Sequence, residues 1–315
     1  YMKLAQISDF KLGRTIQGFY FCNEKHLRYT RNGDLFLDMI FSDSTGTIHG
    51  KLWDLAEQFQ DRFKRGDPVA VKGKVTEFND ILQLTVTQVN QATDRQYSKY
   101  GYSLDLLIRK VEEPIDSLWK SLYALIDTLS NPYKKLTQII FKVHKQKISV
   151  MPRSVSHHHM IRGGFIKHLV TIAQMSLDNL SYYPTLNKDL VLCGIFLHDI
   201  GKIKGINDDL QTGYSDEGRL IGYAGLGMNI LRDAALSCKN IPENILLKLE
   251  HIILTNEWGE GAGNLADPQF PEALFIHYMY ALDSQMDIMQ NAIASGPNLE
   301  RMSSHKHFHS ELYKK

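Results

Sequence analysis

Four residues stand where they could share a cation: His168, His198, Asp199 and Asp283. The adjacent pair His198-Asp199 closes an apolar run in which Leu190, Leu192, Ile195 and Phe196 predict a buried helix that begins near Asp189 and stops before Gly201. Adjacent ionisable side chains on a buried helix need a compensating metal or ion pair. Histidine offers a neutral nitrogen and aspartate an anionic oxygen, so the dipeptide can clamp a metal from one helix end. His168 falls on a second apolar-periodic helix, Phe165 to Leu180. Asp283 falls on a third, Pro271 to Ala294, where Ile276, Tyr280, Asp283 and Asp287 share a helical spacing that turns Asp283 inward or into a cleft. Taken singly, His168 or Asp283 also fits a satisfied polar group in a core. The set spread over three helices is what points to a metal.

The elements that precede these helices read as all-β. Arg14 to Lys25 is β-branched and aromatic, Asn32-Gly33 marks a turn, and Leu35 to Ser42 alternates with Leu35, Leu37, Met39 and Phe41 on one face. A second turn at Asp43 to Gly46 leads into a third strand, Thr47 to Trp53. Leu55 to Phe63 has helical spacing and is stopped by Gly66-Asp67-Pro68. Val69 to Phe78 and Ile81 to Val89 then form a hairpin about Asn79-Asp80. Three strands, a short helix and two strands is the element order of an OB-fold; an SH3-like barrel is the alternative, and the helix favours OB. Asn90 to Tyr102 reads as a polar linker, followed by helices at Ser117 to Leu129 and Tyr133 to Gln146. The chain is thus expected to be multidomain, an N-terminal all-β OB-fold barrel followed by an all-α domain. The expected boundaries are 1–90 for the barrel, 91–155 for linker and basic connecting helices, and 156–315 for the helical domain.

The 315 residues carry 36 Lys+Arg against 35 Asp+Glu, a formal net charge of +1 that argues against a histone-like polyanion binder and says nothing of local patches. Along the chain the balance is uneven. Residues 1–95 hold 13 basic and 12 acidic side chains, 96–160 hold 10 and 5, and 161–315 hold 13 and 18. No acid occurs from Thr128 through Ser176, a stretch that includes Lys142, Lys145, Lys147 and Arg153. It is either a solvated helix face or a surface that meets a polyanion. Cys22, Cys193 and Cys238 are odd in number and lack CxxC spacing, which excludes a disulfide scaffold or a cysteine zinc site and suits a reducing cytoplasm. The longest apolar run is too short to span a bilayer, and no signal core follows Tyr1-Met2-Lys3. A soluble, cytoplasmic protein is expected. His305, His307 and His309 near the terminus read as solvated rather than as ligands.

The order His168, His198-Asp199, Asp283 resembles the H…HD…D signature of the HD-domain phosphohydrolases. OB-like strands, a basic helical connector, and His158-His159 before Arg162-Gly163-Gly164 and His168 together resemble the YhaM-type 3′–5′ exoribonucleases. Gly18-Phe19-Tyr20, Asp43-Ser44-Thr45-Gly46 before Lys51-Leu52-Trp53-Asp54, Glu217-Gly218-Arg219-Leu220 and Pro271-Glu272-Ala273-Leu274 match as well. The resemblance runs from about Ile7 to Leu312-Tyr313. It implies an HD domain in which His168, His198, Asp199 and Asp283 bind Mn²⁺ or Fe²⁺, with Mg²⁺ a poorer match to mixed nitrogen and oxygen ligation. Such a metal polarises a phosphodiester oxygen and acidifies water. Lys202 and Arg162 would then neutralise phosphate charge, and His158 and His159 would contact substrate; a surface lysine, a loop arginine and packing histidines are the respective alternatives. Two-metal members have a histidine where Tyr223 stands and a histidine pair where Asn256-Glu257 stand. That leaves His251 and Glu257 as candidates for a second metal or for substrate.

The activity implied is a metal-dependent 3′–5′ exonuclease on single-stranded RNA, with single-stranded DNA as a further substrate, in an oligomer of identical chains. The alternatives are a non-catalytic nucleic-acid-binding protein with a degenerate HD site, and an HD phosphohydrolase of small nucleotides. On the barrel, Phe19, Tyr20 and Phe36 are candidate base platforms, with Lys51, Lys72 and Lys74 beside them and Lys142, Lys145 and Lys147 on the connector. Alternation makes about half the barrel aromatics core, and Trp53 and Phe78 are expected to be structural.

Overall fold

The computed structural model describes residues 4–153, 161–207, 213–238, 241–256, 267–295, 301–302 and 312–313. Five strands, β1 (Thr15–Tyr29), β2 (Leu35–Ser42), β3 (Thr47–Leu52), β4 (Pro68–Phe78) and β5 (Ile81–Gln91), close a barrel in the order β1-β2-β3-β5-β4. All pairings are antiparallel except β3 with β5. β1 pairs with both β2 and β4, and a register shift between Cys22 and Glu24 lets this long strand bend from one to the other. The alternation in β2 holds: Leu37, Met39 and Phe41 are buried, against Val69, Val71 and Val75 of β4 and Leu84, Val86 and Val89 of β5 in one cluster. Asn79 and Asp80 both take positive φ (52° and 60°), the geometry of a two-residue hairpin turn. The helix between β3 and β4, α1 (Ala56–Gln60), is shorter than its apolar spacing suggests.

The first compact unit extends to Arg109 rather than stopping near residue 90. The stretch read as a linker instead forms α2 (Asp94–Tyr97) and a 3₁₀ turn (Ser98–Tyr100). Its apolar side chains explain the difference: Tyr102 and Leu107 join Phe19, Phe21 and Ala92 in a second apolar cluster on the outside of the sheet.

The second unit, Lys110–Asp208 with Gly213–Lys315, is helical. Its elements are α3 (Ile115–Asp127), α4 (Tyr133–Val150), α5 (Gly164–Asn179), α6 (Lys188–Leu197), α7 (Lys202–Gly205), α8 (Asp216–Leu220), α9 (Gly222–Leu236), α10 (Glu243–Thr255) and α11 (Pro271–Ser295). α6 is the centre: every residue from Leu190 to Leu197 is buried, and Asn187 caps its start by accepting from the Leu190 amide at 3.0 Å. Gly194 lets α10 and α11 close on it, since a Cβ there would stand 2.6 Å from Ile276 Cδ1 and 2.9 Å from Ile252 Cδ1. No helix among the described residues is long and apolar enough to cross a membrane.

Candidate metal centre and nucleic-acid interface

His198 caps the C-terminus of α6, so its ring leaves the helix at the point where α5, α10 and α11 pack against it. Its Nδ1 lies 2.6 Å from the Ile195 carbonyl, which can only accept; Nδ1 therefore carries a proton, and in the neutral tautomer the lone pair is on Nε2. His168, on the buried face of α5, places Nδ1 2.6 Å from Asp283 Oδ2, and Arg153 Nη1 lies 2.7 Å from the same oxygen. Burial works to raise the Asp283 carboxyl, but His168 and Arg153 outweigh it and hold it below its ordinary range. An ionised Asp283 accepts, so His168 also turns a lone pair inward at Nε2. Burial pushes His168 down to about 3, more than its bond to Asp283 restores, so the ring is neutral near pH 7.

The two Nε2 atoms face each other at 3.3 Å. With both rings neutral and both Nδ1 protons committed outward, two lone pairs meet with no proton between them, an arrangement that positive charge would relieve. Asp199 supplies the third donor: its ligand oxygen and the two imidazole nitrogens lie within 4.8 Å of one another, and all three residues are buried. Burial would raise Asp199, yet Lys202 and then His198 overcome it and the shift is downward, so the carboxylate is charged. Asn256 donates Nδ2 to Asp199 Oδ1 at 3.3 Å, while its own Oδ1 is buried without a hydrogen-bond partner. Two imidazole nitrogens and a carboxylate form a donor set that fits a divalent cation of Mn²⁺ or Fe²⁺ type.

Asp283 is brought to this site as the partner of His168 and Arg153. It lies on the Nδ1 side of His168, away from the nitrogen that faces His198, and there it orients the His168 ring. Lys202 reaches the centre as the partner of Asp199: its ammonium is 2.5 Å from Oδ2 and 5.8 Å from the Tyr223 ring. Gly201 makes this approach possible, since a Cβ there would stand 1.9 Å from the Tyr223 carbonyl oxygen of α9. His251 is drawn off: its Nε2 accepts from the Gln269 amide at 3.1 Å and its ring packs on Phe270. Arg162 contributes its carbonyl to the Val111 amide at 3.1 Å. His158, His159 and Glu257, like the histidines near the terminus, lie outside the described residues. Sequence reasoning missed Arg153 as an anchor and Tyr280, whose ring meets both His168 (5.8 Å) and His198 (5.4 Å) edge-on.

On the barrel, the aromatics sort differently from expectation. Tyr20 is 1% exposed, with its hydroxyl donating to the Ala5 carbonyl at 2.7 Å, so it is core and no base platform. Phe19 faces outward but is covered by Tyr97 and Tyr102 at 5.6 and 5.0 Å. Trp53 and Phe78, expected to be structural, are instead 42% and 60% exposed. Half-buried Phe36 stacks on Trp53 at 4.7 Å and 27°, and the Lys51 ammonium lies 5.5 Å from Trp53 and 5.4 Å from Phe78. Phe36, Lys51, Trp53 and Phe78 thus form one aromatic and cationic surface.

Residues 23–92 match the family profile described as an OB-fold nucleic acid binding domain. The barrel is that fold. Similar solved structures include the second OB-fold domain of replication protein A from Methanococcus maripaludis in solution, at 20% identity over 28% of this chain and 94% of that one, with a TM-score of 0.25. A crystal structure of a domain of replication protein A from the same organism gives the same figures. An asparaginyl-tRNA synthetase from Entamoeba histolytica, in complex with asparaginyl-adenylate, is 13% identical over 48% of this chain and 36% of that one, with a TM-score of 0.23.

On the OB domain, Lys72 and Lys74 are exposed on β4, flanking the inward Val71, Gly73 and Val75. On α4, Lys142 is exposed and Lys145 lies over Trp119 and Tyr123 at 5.4 and 5.8 Å. Lys147 points elsewhere: its ammonium donates to the Ile206 carbonyl at 3.1 Å, a tie between α4 and the end of α7.

Proposed function

We propose that the chain is a metal-dependent 3′–5′ exonuclease of single-stranded RNA, and of single-stranded DNA as a further substrate. In this reading the OB domain grips the strand, and the helical unit hydrolyses its terminal phosphodiester to release nucleoside monophosphates. The observation that carries it is the pair of inward imidazole nitrogens 3.3 Å apart beside a buried carboxylate, a site that asks for a cation. His168, His198 and Asp199 would hold the metal, and Asp283 and Arg153 keep the His168 ring turned toward it. A divalent cation supplies Lewis acidity toward a phosphoryl oxygen and lowers the pKa of water to near neutrality. Lys202 contributes positive charge beside a phosphate, and α6, buried from Leu190 to Leu197, keeps bulk water from the inner side of the site. On the barrel, bases stack on the Phe36–Trp53 pair and phosphates follow Lys51.

A second reading, a binding protein without catalysis, has its own support. Tyr223 and Asn256 stand where the resemblance expects second-metal imidazoles, and Asp199 already holds the Lys202 ammonium at 2.5 Å. Incubation of the full chain with 3′-tailed and blunt RNA in Mn²⁺, beside Asp199→Ala, separates the two. Stepwise shortening with release of nucleoside monophosphates, lost in the variant, is the expected result. No shortening, or equal shortening by the variant, overturns the exonuclease and leaves the binding protein. Cleavage of mononucleotide substrates but not of polymers points instead to a small-nucleotide phosphohydrolase.

A further inference from the structure

The outer face of β1, β4 and β5 carries a cleft that the strand-binding surface at Phe36 and Trp53 does not use. Cross-strand register builds it in two rungs: Gln17 opposite Lys72 opposite Gln88, and Phe19 opposite Ala70 opposite Asn90. Ala70, in the middle of the second rung, leaves a hollow between longer neighbours. The segment after the barrel walls it, with Tyr97 packed edge-on against Phe19 and Tyr100 6.2 Å from Tyr97. Lys99, 5.1 Å from the Tyr100 ring, brings a second ammonium to the same cleft. The volume of this open cleft is about 520 Å³, within the roughly 300–1,000 Å³ of small-molecule sites.

We infer that this cleft binds a nucleoside monophosphate. Two lysines, Lys72 of β4 and Lys99 of the segment after the barrel, and no lining carboxylate select an anion. Gln17 and Gln88 offer side-chain donors and acceptors, and Asn90, whose Oδ1 accepts from Arg62 at 3.3 Å, adds an amide donor, a set that suits the edge of a heterocycle. An apolar ligand would strip water from those groups and leave them unpaired, a cost its burial does not offset. Tyrosine rings supply faces for a base, and the volume exceeds what inorganic phosphate alone would fill. The inference concerns the barrel alone and stands whether or not the helical unit cleaves RNA.

The test is calorimetric titration of the full chain with AMP, adenosine and inorganic phosphate separately, in EDTA so that the helical site holds no cation. AMP is expected to bind at least about tenfold more tightly than adenosine or phosphate. Lys72→Ala with Lys99→Ala should weaken AMP by about tenfold or more, with the thermal melt unchanged because both side chains are exposed. Ala70→Leu, which fills the hollow, should abolish binding; if it melts early, Lys72→Glu on the surface makes the same test. Trp53→Ala should leave AMP affinity as it is. Absence of AMP binding, AMP affinity untouched by the lysine pair, or its loss in His168→Ala overturns the assignment. So does an oligonucleotide that displaces AMP and depends on the same lysines, since the cleft is then a strand path.

Discussion

Trp53→Ala should weaken single-stranded nucleic acid binding about 5- to 10-fold while leaving the fold intact. The ring is 42% exposed and stacked on Phe36 at 4.7 Å, so one face is taken by a neighbour and the accessible remainder can accept a base. A base stacked on an aromatic contributes about 1–3 kcal/mol. Because Phe36 remains as a poorer surface, the loss belongs near the lower limit, about 1–1.4 kcal/mol, which converts to that range of Kd. Stability should move by no more than about 0.5 kcal/mol, since an exposed ring at the end of β3 leaves the buried Leu52 in position. The assay is fluorescence anisotropy of a labelled oligonucleotide with the full chain in EDTA, repeated across salt concentrations. Salt gives a second, independent readout. Lys51→Ala removes one phosphate contact and should reduce the slope of log K against log salt by about 0.7, whereas Trp53→Ala should leave the slope alone. An affinity for Trp53→Ala within about twofold of the parent, or a loss carried entirely by the salt slope, would refute the platform.

The helical unit offers four further outcomes. Asp199→Asn removes the carboxylate 2.5 Å from the buried Lys202 ammonium and should cost about 3–5 kcal/mol in denaturant unfolding, most of it recovered by adding Lys202→Met. Mn²⁺ at 100 times its Kd should stabilise the chain by about 2.7 kcal/mol in a thermal melt, reversed by EDTA and absent in His168→Ala with His198→Ala. Gly201→Ala drives a Cβ into the Tyr223 carbonyl and should destabilise by about 3 kcal/mol or more, at the upper limit of overpacking. Burial raises Cys193 to about 12, so at pH 8 only roughly one thiol in 10⁴ is the reactive thiolate; alkylation should stay slow, rise about tenfold per pH unit, and become rapid once the chain unfolds.

Much of the barrel is legible in the sequence because a closed sheet imposes a period of two. Leu37, Met39 and Phe41 face inward as their alternation requires, and Asn79-Asp80 makes the turn its residue types favour. The same logic fails where a strand has two covered faces. In β1 the residues from Gly18 to Asn23 are all buried, Tyr20 by the core and Phe19 by Tyr97 and Tyr102, so no alternation reveals which ring is outside. It fails again at strand ends: Trp53 lies just past β3 and Phe78 closes β4 before a positive-φ turn, where the pleat no longer fixes a side chain's direction. In the helical unit, the run ending in His198-Asp199 marks itself. Arg153 does not, because its partner Asp283 is 130 residues away and only the packed helices bring them together.

The protons on the two imidazoles decide what kind of pair His168 and His198 make. Two histidines satisfied within a core would share a proton, one ring donating to the other. Here that would require one ring to surrender its Nδ1 proton, leaving a lone pair against the Ile195 carbonyl or against the carboxylate of Asp283. Either is a repulsive contact at 2.6 Å in a buried setting, where an unmet polar group is most costly. A second proton on His168 is opposed by burial, which drives its pKa down to about 3. A divalent cation held by both nitrogens would relieve two lone pairs at 3.3 Å, and Asp199 stands beside them with the negative charge to hold it. Asp283 acts on this choice from behind: by fixing the proton on Nδ1 it turns the Nε2 lone pair of His168 toward His198, and Arg153 helps keep the carboxylate ionised so that it can.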